Sequence, residues 1–135
     1  MDDPVVYVST WRIREGKFED YRRFYAELVK IVDANEPGVP AFLAYANDDA
    51  TEITNVHVYP DRATLDRHMA VLGEQMGLLP TDLTAVMANL EPVSIQVFGT
   101  PGGQAAEMDQ RLIDSGVLFT GKRRYLGGFT RQAAL

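Results

Sequence analysis

His57 and His68 are the only two histidines in the chain, and cysteine is absent. Histidine is the side chain whose ordinary titration falls near neutral pH, so proton transfer is the chemistry to look for around these two residues. Both belong to one short unit between Glu52 and Met76. Ile53, Asn55, His57 and Tyr59 alternate with Thr54, Val56 and Val58, which reads as a strand with one chemically equipped face and one aliphatic face. Pro60 has no N–H to give to a ladder and ends the strand. Asp61 is placed to cap a helix in which Leu65, His68, Met69, Leu72 and Met76 recur at helical spacing. His68, expected at a half-exposed helix position, is a candidate general base or an orienting group for a phenolic hydroxyl, and it reads equally as a partly buried helix histidine bonded to a neighbour. Asn55 could hold an oxyanion, although an asparagine near a hairpin needs no function. His57 can equally pair across a sheet, and Tyr59 and Trp11 serve equally well as core aromatics. Without cysteine there is no thiolate nucleophile, and two histidines without a third ligand at a recognisable spacing make no metal centre.

The elements that must position these residues can be read along the chain. Val5 to Trp11 is a strand with Tyr7, Ser9 and Trp11 on one face and Val6, Val8 and Thr10 on the other. A turn at Arg14–Glu15–Gly16 leads into a helix from Lys17 to Asn35. Its apolar stripe is Phe18, Tyr21, Phe24 or Tyr25, Leu28 and Val32, and Glu36–Pro37–Gly38 stops it. Ala41 to Ala46 is a second strand, joined by the turn-forming Asn47–Asp48–Asp49–Ala50 to the strand of the histidine unit. A short helix starts at Pro80–Thr81–Asp82 and runs to about Asn89. Glu91 to Phe98 is a further strand, closed by Gly99–Thr100–Pro101–Gly102–Gly103. The order β-α-β-β-α-β predicts an α+β, ferredoxin-like fold: an antiparallel sheet with helices on one face. Residues 1–99 form this domain. Residues 100–135 form an extension, with a helix from Gln104 to Ser115 and extended pieces at Val117–Thr120 and Lys122–Thr130 on either side of Gly121, packed on the same domain or on a partner subunit.

At 135 residues and 46% hydrophobic content, one globular core is expected. A net charge of −6 argues against a nucleic-acid partner. No apolar run approaches a membrane span, and Asp2, Asp3 and Pro4 before the first strand do not resemble a secretory signal, so a cytoplasmic setting is expected. The Gly99–Gly103 turn lacks the Lys–Ser/Thr that a phosphate-binding loop needs. Acidic residues end at Asp114, while Lys122, Arg123, Arg124 and Arg131 follow, either as a solvated tail or as a basic arm for the acidic body of a second subunit.

From about Val5 to Met76 the chain resembles the antibiotic biosynthesis monooxygenase family, of the dimeric α+β barrel group. The resemblance rests on the opening strand running into a basic turn with Gly16, on the long helix ended by Glu36–Pro37–Gly38, and above all on Tyr59, Asp61, Leu65 and His68 in that order. The family usually has Trp where Tyr59 stands, and the segment after Gly99 has no counterpart in its minimal domain. The resemblance implies a homodimer with two sheets facing each other and helices outside, so that Val6, Val8, Val56 and Val58 are covered by a second copy. Some members oxidise phenolic or quinol-type aromatics with O₂ and with neither metal nor flavin. Others degrade haem, isomerise or only bind small molecules. Haem-degrading relatives use Asn at the place of Ser9, counted back from Gly16, and Trp at that of Tyr59, which speaks against haem breakdown here. The resemblance therefore implies a cofactor-independent monooxygenase for a small aromatic ligand. His68, Tyr59 and Asn55 would be catalytic, with Asn55 near a dioxygen-derived group, and Tyr7, Ser9, Trp11 and His57 would line the pocket. A non-catalytic dimeric binding protein with the same pocket is the alternative, and a structural dimer with a filled core is a third.

Overall fold

The computed structural model describes residues 3–79 and 82–131. The elements are β1 (Val5–Ile13), α1 (Phe18–Asn35), β2 (Ala41–Ala46), β3 (Glu52–Tyr59), α2 (Arg62–Gln75) with a 3₁₀ turn at Met76–Leu78, α3 (Leu83–Met87), β4 (Leu90–Phe98), α4 (Gly103–Asp114) and β5 (Leu118–Lys122). They build one five-stranded sheet of order β2-β3-β1-β4-β5. The ferredoxin-like α+β arrangement expected from the sequence is therefore present.

Local chemistry explains the boundaries. The Asn47 side chain accepts from the backbone N–H of Thr51 at 3.0 Å and of Glu52 at 2.9 Å, which closes the β2–β3 hairpin. Asp61 Oδ1 accepts from the Thr64 N–H at 2.7 Å and caps α2. Asp82 caps the short α3 in the same way, through the Thr84 N–H at 3.0 Å. The expected start of that helix at Pro80 and Thr81 lies outside the described residues.

The register of β1 against β3 pairs Tyr7 with His57 and Ser9 with Asn55, so the two equipped faces coincide. The helices lie on that side, with α2 in contact with both α1 and α4. Val5, Tyr59, Leu65, Ile95, Val97 and Ala105 form the buried centre between sheet and helices. On the opposite face Val6, Val8, Val56 and Val58 remain partly exposed. They lie beside Leu43 and Tyr45, which are exposed large apolar residues.

The extension departs from its sequence reading. Gly121 does not separate two extended pieces. One strand, β5, runs through it and pairs parallel with β4, Val97 facing Gly121. The chain from Lys122 onward forms no further strand among the described residues. A parallel neighbour needs a crossover connection, and α4 supplies it. The sheet is therefore antiparallel except at this last pair.

Candidate active site

Between the sheet and helices α1, α2 and α4 lies a cavity of about 190 Å³ whose wall includes Tyr7, Ser9, Trp11, His57, Tyr59 and His68. Each comes from a different point of the sequence pattern. Tyr7, Ser9 and Trp11 alternate along β1, His57 and Tyr59 along β3, and His68 faces them from α2. Leu65, Met69, Leu72, Ile95 and Leu112 make the remainder mostly apolar. An apolar cavity of about 150 Å³ is enough for a benzene ring, so this one has the volume of a single ring. A more open groove of about 330 Å³ between α1 and β2 contains neither histidine. It also lacks any carboxylate that could take up a proton.

His68 is not half-exposed, as its helical position had suggested. It is 5% exposed, and its Nδ1 lies 2.9 Å and 3.0 Å from the two carboxylate oxygens of Glu36, itself 3% exposed. Glu36 sits at the C-cap of α1, where its backbone N–H also donates to Val32 O at 2.8 Å. The residue that looks like helix punctuation in the sequence is thus the partner of the candidate base. An ionised carboxylate only accepts, so a neutral imidazole beside it carries its proton on Nδ1 and has Nε2 as its acceptor nitrogen.

His57 and the tyrosines in and beside the wall are poorly suited to take a proton. Burial, assisted by the neighbouring His68, pushes His57 down to about 3, so it stays neutral near pH 7. Its Nε2 lies 3.1 Å from the Tyr25 hydroxyl, and its ring is stacked on Phe42 with centroids 3.7 Å apart. Burial also raises the phenols of Tyr7, Tyr25 and Tyr59 well above their ordinary value. The Tyr59 ring centroid lies 6.5 Å from that of Tyr7 and 5.2 Å from that of His68. Trp11 Nε1–H donates to Ser9 Oγ at 3.1 Å.

Asn55 is the one candidate the structure sets apart. It is not among the residues that line the cavity, and its side-chain oxygen accepts from the Tyr21 hydroxyl at 3.4 Å. Conversely, the sequence reading missed Glu36, Phe42 and Asp109. Asp109, on α4, is 6% exposed and accepts at Oδ2 from the Tyr7 hydroxyl at 2.8 Å. No local spacing marks it, because its partner is 102 positions away. Among the described residues no three His, Asp or Glu side chains gather as a metal-ligand set, and no helix is long and apolar enough to cross a membrane.

Comparison with known proteins places this site in context. The structure is similar to that of MupZ from Pseudomonas fluorescens, with 17% identity, a TM-score of 0.64, and coverage of 95% of this chain and 91% of that one. It is also similar to SnoaB from Streptomyces nogalater, a cofactor-independent oxygenase, with 21% identity, a TM-score of 0.54, and coverage of 76% of this chain and 97% of that one. At these identities the likeness concerns the fold. No curated protein matches the chain. The family model for antibiotic biosynthesis monooxygenases matches residues 4–71, from the start of β1 into α2. This stretch is half of the 135 residues and contains both histidines and Glu36, and the chain belongs to the antibiotic biosynthesis monooxygenase family.

Proposed function

We propose that this protein is a cofactor-independent monooxygenase acting on a small phenol- or quinol-type aromatic. The observation that carries this reading is the buried Glu36–His68 pair in the wall of a mostly apolar cavity of ring size. With His57 held neutral and the tyrosines held protonated, His68 Nε2 is the group suited to receive a phenolic proton. The resulting imidazolium is stabilised by the Glu36 carboxylate, much as a buried carboxylate supports a catalytic histidine elsewhere.

Deprotonation is what the reaction requires of the protein. An ionised phenol or quinol is electron-rich enough to reduce O₂ itself. For a quinol, one oxygen atom of O₂ enters the ring, the other leaves as water, and the substrate supplies all four electrons as it becomes a hydroxylated quinone. The protein contributes orientation by Tyr59, Trp11 and His57, and a mostly apolar cavity. Asn55 has at most an indirect part in this scheme, through Tyr21 and α1.

The reading includes a homodimer. The partly exposed Val6, Val8, Val56 and Val58, with Leu43 and Tyr45 beside them, make an apolar sheet face that a second copy would cover. Exposed Leu126 and Phe129 follow the basic Arg123 and Arg124 beyond β5, and a second copy would cover these too.

The test is oxygen uptake with a panel of phenols and quinols. Uptake with at least one of them, with ring oxygen derived from labelled O₂, is expected. Ligand-induced rises in melting temperature without any uptake would instead identify a non-catalytic binding protein.

A further inference from the structure

Helix α4 lies beyond the residues matched by the family model, yet Met108, Asp109 and Leu112 of this helix line the cavity. Asp109 is the one ionisable group among them. Its Oδ2 accepts from Tyr7, while its Oδ1 is buried and makes no hydrogen bond among the described residues. Burial raises the Asp109 carboxyl, and the Tyr7 hydroxyl and the nearby Arg123 oppose that rise.

The donor count in this corner is informative. A phenol has one proton, and Tyr7 gives its proton to Asp109, so the Tyr7 oxygen can only accept from anything else. The Trp11 N–H is likewise committed, to Ser9. The atoms offered to a ligand by the Tyr7–Asp109 pair are therefore acceptors. The Tyr59 ring centroid lies 6.5 Å from that of Tyr7 and 5.2 Å from that of His68, and Tyr7, Asp109, Tyr59 and His68 all line the one cavity.

We propose that Asp109 and Tyr7 form a second polar end of the cavity that selects ligands carrying a hydroxyl donor there, in addition to the hydroxyl met by His68. The ligand class is then a dihydroxylated aromatic rather than a monohydroxylated or etherified one. Tyr7 makes the contact. Asp109 is a positioning residue that fixes the polarity of the Tyr7 hydroxyl. The inference rests on the cavity being the site for a hydroxylated aromatic, as proposed above.

Calorimetric titration with hydroquinone and with its monomethyl ether tests it on the intact chain. The wild type is expected to bind hydroquinone about tenfold more tightly than the ether, the size of one hydrogen bond to a strongly polarised group. In Tyr7→Phe the preference should fall to about twofold or less, since no acceptor oxygen remains there. Asp109→Asn should have a similar effect, because an amide can donate to Tyr7 and release the phenol proton to face an ether oxygen. If Asp109→Asn does not fold, Tyr7→Phe still decides the matter. Equal affinities in the wild type, no binding of either compound, or a full preference retained in Tyr7→Phe would overturn the inference. Oxygen uptake separates it from the reading it rests on: a preference without uptake removes the oxygenase assignment and keeps the polar end. Uptake without a preference does the reverse.

Discussion

Glu36 and His68 stand 32 positions apart in the sequence, yet the carboxylate grips the imidazole Nδ1 with both oxygens, at 2.9 Å and 3.0 Å, in a nearly dry setting. Removing one partner of such a buried pair leaves the other uncompensated. Glu36→Ala and His68→Ala are each expected to cost about 1 to 3 kcal/mol of stability, the cost of leaving a buried hydrogen-bonding group unpaired. The double variant should cost less than the sum, with a coupling of about 1 to 3 kcal/mol by urea denaturation. Strict additivity would show that the two side chains do not interact in solution.

Turnover should separate the two roles. Glu36→Gln keeps the size of the side chain and an acceptor oxygen, and is expected to lower oxygen uptake about tenfold to a hundredfold, because the imidazolium formed on proton uptake loses the carboxylate charge that stabilises it. A variant with full uptake and a lowered melting temperature would make Glu36 purely structural.

His57 gives a pH dependence with a defined sign. Its folded value, about 3, lies below the ordinary 6.5, so the unfolded chain binds the proton first. The contribution of His57 to stability is intact above about pH 6.5 and is lost progressively as the pH falls toward about 3, by at most about 4 kcal/mol over that window. His57→Gln should flatten this part of the stability profile when denaturation midpoints are compared at about pH 7 and about pH 4. An unchanged slope would place the acid sensitivity in the carboxylates instead.

The aliphatic sheet face predicts association. Light scattering at micromolar concentration should give twice the mass of the chain. Val56→Asp should shift the protein toward monomer, since an unpaired charge in the covered face costs several kcal/mol, on the order of 3 to 5. A wild-type monomer would contradict this.

Gly99 closes β4 with φ at +92, and a Cβ there would run into the backbone carbonyl of Pro4. Gly116 has a similar φ of +89 but open space around it. Gly99→Ala should therefore cost about 2 kcal/mol or more and Gly116→Ala only about 1 kcal/mol, by thermal denaturation. Equal losses would show that the backbone around Pro4 yields to the methyl group.

The strands and the first two helices were legible in the sequence because their signals are local. Alternation along Val5–Trp11 and Ile53–Tyr59 gave the faces, and the family resemblance gave the pairing of those two strands. What stayed hidden was long-range. Glu36, in a Glu–Pro–Gly stop signal, has no periodicity that points to His68. Asp109 sits on an amphipathic helix whose partner face is set only when α4 crosses over to form β5. The stacking of Phe42 on His57 depends on the β2–β3 register, which places them opposite each other. Gly121 looked like a break because glycine weakens strands, but it lies in a short edge strand where that cost is tolerated.

The sheet order leaves two unequal edges, β2 and β5. The β5 edge is short, contains Gly121 and ends at Lys122, features that discourage another strand from joining. The β2 edge reads Ala-Phe-Leu-Ala-Tyr-Ala, with no charge and no proline within it. Six such residues satisfy the composition of an amyloid-forming segment. In a destabilised or partly unfolded chain, misassembly should therefore begin at β2, and a lysine at Leu43 or Tyr45 should act as a gatekeeper that suppresses fibril formation.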